Sequence, residues 1–173
     1  MKEKGIIMGI ETFDSISTGA FPPLFNTTTI NPREYQSAIY ERAKLENLMV
    51  VLPTGLGKTL IAALLSTYYL EKWNGTQKII FLAPTRPLIN QHYISCQKMI
   101  KIPPEQFAIL TGQTTGNQRI GIFQKTSILY MTPETLANDL EEGRYELKQT
   151  ALIIYDEAHR ASGDYAYCKI SKI

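Results

Sequence analysis

Residues 52–59, Leu-Pro-Thr-Gly-Leu-Gly-Lys-Thr, interrupt an apolar run that otherwise extends from Val50 to Leu65. Gly55 and Gly57 let the backbone bend until successive N–H groups point inward, and the helix that follows adds its positive N-terminal end. Leu52, Pro53, Thr54, Gly55, Leu56 and Gly57 then form the wall of an anion cradle. Lys58 is placed to reach the β and γ phosphates of a nucleotide, and Thr59 offers its hydroxyl to Mg²⁺. The general pattern has glycine where this chain has Leu52, so the loop is a variant. A plain strand-to-helix turn explains the glycines, but not a lysine seated between a flexible glycine and a hydroxyl.

A second reactive pair, Asp156 and Glu157, closes the apolar stretch Ile-Ile-Tyr-Asp-Glu-Ala-His. Asp156 can hold the water shell of Mg²⁺ opposite Thr59, and Glu157 can orient and deprotonate an attacking water, two roles that in-line phosphoryl transfer requires. Alone, an Asp-Glu pair after a strand is a helix cap; beside a phosphate loop it reads as catalytic. His159 reads equally well as an ordinary loop histidine. In Asn-Pro-Arg-Glu-Tyr-Gln, residues 31–36, the Gln36 amide carries a donor and an acceptor that match adenine N6 and N7. On spacing alone the simpler reading of Gln36 is an exposed helix-opening residue.

Three further stations follow apolar runs: Thr85 and Arg86 in 83–91, Gly112 in Thr-Gly, and Thr132 in Met-Thr-Pro-Glu-Thr-Leu. Each puts a hydroxyl, an arginine or backbone N–H groups at a helix start, the chemistry that grips phosphodiester oxygens without reading bases. Each by itself is a plain N-cap. Three on one edge favour a polynucleotide backbone.

These residues need elements to hold them. Asn31 as N-cap and Pro32 at the first helical position open a helix through Leu45. Residues 47–52, 78–84, 107–112, 127–133 and 151–159 read as short buried strands. Helices are expected over 60–70, 86–100, 118–124 and 133–141. Strands buried on both faces and alternating with helices specify a doubly wound parallel α/β sheet, with ligands beyond the carboxyl ends of the strands. Both the phosphate loop and the Asp-Glu pair fall at that edge. Residues 1–30, with a stretch at 11–31 rich in Thr, Ser, Pro and Asn, read as an irregular lead-in, and 31–173 as one nucleotide-binding domain.

The chain has 173 residues, 44% of them apolar, and a formal charge of +2, so polynucleotide contact must be local rather than a global basic field. Cys96 and Cys168 lie far apart, with only His92 and His159 as further soft ligands, which specifies neither a disulfide framework nor a zinc site. The N-terminal apolar stretch is too short for a signal peptide and no run is long enough to span a membrane. A reducing, intracellular (cytoplasmic) setting is expected.

Together the quoted motifs resemble the first motor lobe of the superfamily 2 helicases: 52–59 as motif I, Ala-Pro-Thr-Arg-Pro-Leu as motif Ia, Thr-Pro-Glu-Thr-Leu as motif Ib and Asp-Glu-Ala-His as motif II. The stretches Asn-Asp-Leu (138–140) and Arg-Ala-Ser-Gly-Asp-Tyr-Ala-Tyr (160–167) are similar to the archaeal Hef and Fanconi anaemia group M fork-DNA translocases. The resemblance implies a P-loop NTPase (RecA-like) lobe, incomplete at the C-terminus, with ATP and Mg²⁺ as ligands and branched or forked DNA as partner. It implies that Arg33 and Gln36 sit at the adenine. RNA is the alternative polynucleotide, and a non-catalytic nucleotide- or nucleic-acid-binding remnant the alternative function. Motif III and the second lobe, with its arginine fingers, lie outside these residues. Since such fingers contribute about 10³–10⁵ in rate, weak turnover is expected of this chain alone. The motif III strand of such lobes lies between the motif I and motif II strands, so a central strand is expected to be missing.

Overall fold

The computed structural model describes residues 20–53, 55–158 and 166–170. Strands β1 (Lys78–Leu82), β2 (Phe107–Leu110), β3 (Ile128–Met131) and β4 (Thr150–Tyr155) pair in parallel in the order β2-β3-β1-β4. They alternate with α1 (Glu34–Ala43), α2 (Lys58–Lys72), α3 (Arg86–Met99), α4 (Gly116–Lys125), α5 (Pro133–Glu141) and α6 (Ala166–Ile170).

Because successive strand side chains point to opposite faces, β1 and β3 each feed two cores. Ile79, Phe81, Ile128 and Tyr130 pack with Ala63 and Leu64 of α2 and Ile89 and Cys96 of α3. Ile80, Leu82, Leu129 and Met131 pack on the other face with Phe123 of α4, Leu136 of α5 and Ile170 of α6. This is the doubly wound α/β sheet that the apolar runs predicted. Residues 20–30 contain no helix, yet they are fastened to the body: Phe25 is buried and bridges to Ile100, and Asn26 N–H donates to the Met99 carbonyl over 2.8 Å.

Three expectations about elements are corrected. Residues 47–52 form no strand; a single bridge residue, Met49, is all they show, and Met49 and Val51 are 47% and 59% exposed. An apolar run becomes a strand only where neighbours satisfy its N–H and C=O groups, and among the described residues the sheet ends at β4 with no strand pairing its outer edge. The first helix starts at Glu34 with Arg33 as N-cap, not at Pro32 after Asn31, because the Gln36 side-chain oxygen accepts the Arg33 N–H at 2.8 Å and fixes the entry there. The last strand ends at Tyr155 rather than 159, since Glu157 turns the chain with a φ of 54°.

Candidate functional site

The phosphate-type loop is shaped by two glycines. Gly55 has φ 85° and Gly57, the N-cap of α2, has φ 78°, a left-handed region that other residues enter at a cost. Gly57 is also confined: a Cβ there would stand 2.4 Å from Gln36 Nε2. Gln36 is buried and braces the loop from α1, its Nε2 donating to the Leu56 carbonyl at 3.1 Å while the Tyr35 hydroxyl donates to the same oxygen at 2.8 Å. With its oxygen on the Arg33 N–H, Gln36 has one N–H and one lone pair left over. Arg33 is exposed beside it.

No side chain caps α2; the Leu60 and Ile61 N–H groups turn back onto the Gly57 carbonyl, so the amides ahead of them and the positive end of the dipole of this 15-residue helix are what an anion can use. The loop closes on itself through the Leu56 N–H on the Pro53 carbonyl at 3.3 Å, and the exposed Lys58 folds its ammonium onto the Leu52 carbonyl at 3.1 Å. That contact asks little of Lys58, a flexible cation resting on a neutral acceptor until a stronger one arrives. Uncapped amides, a poised ammonium and glycine-only backbone fit a polyphosphate. Thr54, and likewise His159, lie outside the described residues.

The acidic side is held by the sheet. Asp156 N–H donates to the Leu82 carbonyl at 2.8 Å, which registers the end of β4 against β1. The Tyr167 hydroxyl of α6 donates to the Asp156 carbonyl at 2.7 Å, and its ring meets Tyr155 edge-on at 5.2 Å. Asp156 Oδ2 lies 2.9 Å from His92 Nε2, and His92 Nδ1 lies 3.2 Å from the Thr59 hydroxyl. Burial pushes the Asp156 carboxyl up, but His92, the Glu157 amide and Lys58 together hold it below the usual carboxylate range. Thr59 on α2 and Asp156 beyond β4, a hydroxyl and a carboxylate, are oxygen donors of the kind Mg²⁺ takes. Glu157 sits next to them in a left-handed conformation that a non-glycine residue holds at a cost of about 1–3 kcal/mol, a form of strain that collects at functional sites.

The proposed polynucleotide stations all emerge at the carboxyl ends of parallel strands, on the edge that carries Asp156. Thr85, N-cap of α3, and Arg86 follow β1 and are exposed. Gly112 follows β2 and is exposed. Thr132 follows β3, is half-buried and accepts the Thr135 N–H at 3.3 Å, so its hydroxyl is already used as a cap.

Beneath Gly112 lies a buried ionic hub. Asp139, with no exposed surface, accepts from Arg119 Nε and Nη2 at 2.9 and 2.7 Å, from Arg144 Nη1 at 2.5 Å and from the Tyr145 hydroxyl at 2.6 Å. Arg119 also donates to the carbonyls of Thr111 and Thr114, tying the loop around Gly112 to α5. Burial pushes the Asp139 carboxyl up, and the bonds from Arg119, Tyr145 and Arg144 outweigh it and hold the carboxyl low.

Sequence reasoning missed His92 and the hub. His92 falls three residues after buried Ile89 and four before buried Cys96, on the inward stripe of α3. A polar ring in that stripe was the signal. Asp139 was marked only as part of Asn-Asp-Leu; its place on the buried face beside Leu136 and Ala137 gives the reason for it.

The pattern of the DEAD/DEAH box helicase family matches residues 33–173. The chain is 40% identical over 159 residues to the ATP-dependent DNA helicase mph1 of Aspergillus oryzae, covering 92% of this chain and 14% of that protein. It is 44% identical over 138 residues to the Neurospora crassa mph1, covering 80% of this chain and 12% of that protein. Among solved structures, the Pyrococcus furiosus Hef helicase domain superposes with a TM-score of 0.81 at 42% identity, covering 86% of this chain and 31% of that one. The UvsW helicase of bacteriophage T4 shares the fold with a TM-score of 0.67 at 24% identity, covering 83% and 48%. The chain thus spans about one seventh of the length of the curated relatives it matches. Among the described residues no helix is long and apolar enough to cross a membrane.

Proposed function

The chain belongs to the DEAD/DEAH box helicase family, and from that premise we propose that it is the ATP-binding lobe of an ATP-dependent DNA helicase or translocase acting on branched or forked DNA. The observation that carries the reading is the meeting of Lys58 and Thr59 at the start of α2 with Asp156 beyond β4, joined through His92 at the carboxyl edge of the sheet.

In this reading the uncapped amides of α2 and the Lys58 ammonium bind the triphosphate, Lys58 leaving the Leu52 carbonyl to do so. Gln36 and Arg33 flank the adenine. Thr59 and Asp156 hold Mg²⁺, which when bound neutralises charge developing on the phosphate oxygens. Glu157 accepts the proton of the attacking water. Thr85, Arg86 and Gly112 grip the sugar-phosphate backbone on the same edge, beside Thr132, whose hydroxyl caps α5. Arginine fingers of a second lobe contribute about 10³–10⁵ in rate, so the lobe alone binds nucleotide better than it hydrolyses it. The setting is intracellular.

Steady-state hydrolysis of ATP by the 173-residue chain, with forked DNA, linear duplex and RNA in parallel, tests this. Expected are slow turnover and tighter binding to forked DNA than to the other two. Vigorous turnover, or a preference for RNA, contradicts it.

A further inference from the structure

Thr59, His92 and Asp156 form a polar chain of which the proposed function uses only the ends. We propose that His92 is a positioning residue for the metal site, its two ring nitrogens setting the orientation of the Thr59 hydroxyl and the Asp156 carboxylate; this rests on the nucleotide reading above.

The argument is one of donors and acceptors. An ionised carboxylate can only accept, so the 2.9 Å contact makes His92 Nε2 the donor to Asp156 Oδ2. In the neutral ring Nδ1 is then the acceptor, and across 3.2 Å the Thr59 hydroxyl must donate to it. Thr59 thereby turns its proton toward the imidazole and leaves its lone pairs free, the polarity a cation requires. Asp156 in turn has Oδ2 committed and Oδ1 unclaimed by His92. Were Nδ1 to donate instead, the Thr59 hydroxyl would accept and its own proton would be left to face the ion.

The ring is itself immobilised. His92 is 8% exposed and stacks on Phe81 at 4.5 Å and 28°, and Phe81 stacks on Tyr130 at 5.5 Å. A residue on α3 thus couples a ligand at the start of α2 to a ligand beyond β4, elements that no strand pairing joins directly. Groups that hydrogen-bond to metal ligands act this way in general: they fix rotamer and proton position, and their loss weakens the ion far more than the rest of the site.

Packing and positioning predict opposite behaviour for two variants. His92→Phe keeps the stack on Phe81 and deletes both hydrogen bonds; His92→Gln keeps one donor and one acceptor and loses the stack. The readouts are binding of a fluorescent ATP analogue in EDTA, the Mg²⁺ concentration giving half of the metal-dependent binding, and the thermal midpoint. His92→Phe is expected to raise that Mg²⁺ concentration by about 10–100-fold while the affinity in EDTA stays within about twofold, and His92→Gln to recover most of the loss. A Phe variant with unchanged Mg²⁺ dependence, or two variants that lose affinity with and without Mg²⁺ alike, overturns the role of His92 while leaving the nucleotide reading intact. Failure of the unmodified chain to bind the analogue in either condition overturns both.

Discussion

The Asp139 hub and the glycine loop lie on one sheet edge and are built on opposite terms. In the hub, one carboxylate takes bonds from two arginines and a tyrosine, and Arg119 spends a further nitrogen on the carbonyls of Thr111 and Thr114. In the loop, helix amides lack a side-chain cap and the lysine rests on a neutral carbonyl. A network that satisfies itself supports a neighbouring surface. A set of donors with makeshift partners is shaped for something that is not protein. The difference separates residues that hold the edge from residues that use it, though both groups carry charge.

Substitutions should therefore divide by region. Asp139→Ala leaves Arg119 with a buried, unpaired guanidinium; breaking such a pair costs about 3–5 kcal/mol, which lowers the thermal midpoint of a chain this size by roughly 10 °C. Calorimetry that finds the variant as stable as the parent would erase the distinction. Acid should act on the same carboxylates. Both Asp139 and Asp156 are held below their ordinary value in the folded state, so the stability they contribute is present above the unfolded pKa of about 4 and is lost as pH falls through the folded values. Denaturant midpoints should be level near neutrality and fall below about pH 4, with a shallower fall in Asp139→Asn. Gly57→Ala comes next: the left-handed φ costs about 1–2 kcal/mol and the new methyl must displace Gln36. It is expected to disturb nucleotide binding more than melting. At the small end, Glu46→Gln removes the exposed Arg42 pair and should change stability by less than about 0.5 kcal/mol.

How much of this was legible in the sequence depends on how local each cause is. Ile79 to Leu82 and Ile128 to Met131 announce strands buried on both faces, because a short apolar run without alternation, bounded by turn residues, fits that place in a parallel sheet. Gly55, Gly57 and Lys58 announce the loop through backbone requirements that each residue carries in itself. Residues 47–52 read the same as the true strands, and failed to become one because a strand is defined by its neighbours, and among the described residues no strand lies beside it. The helix start moved from Asn31 to Arg33 because the Gln36 side chain competes for the entry, a choice among several adequate caps. His92 and Asp139 were opaque for a related reason. Each is a polar residue in an inward helical stripe, and what it meets there comes from Thr59 and Asp156 in one case and from Arg119 and Tyr145 in the other, all distant or unmarked in the chain.

The central claim is that the loop between residues 52 and 59 holds a nucleotide triphosphate through the Lys58 ammonium. Titration of a fluorescent ATP analogue with Mg²⁺ into the unmodified chain and into Lys58→Ala tests it most directly, with melting curves recorded on both. Saturable binding that weakens by about tenfold or more in the variant, at an unchanged thermal midpoint, is the predicted result, since a charge-assisted bond contributes about 1.5–3 kcal/mol. Equal affinity in the two chains, or no saturable binding by the unmodified one, contradicts it.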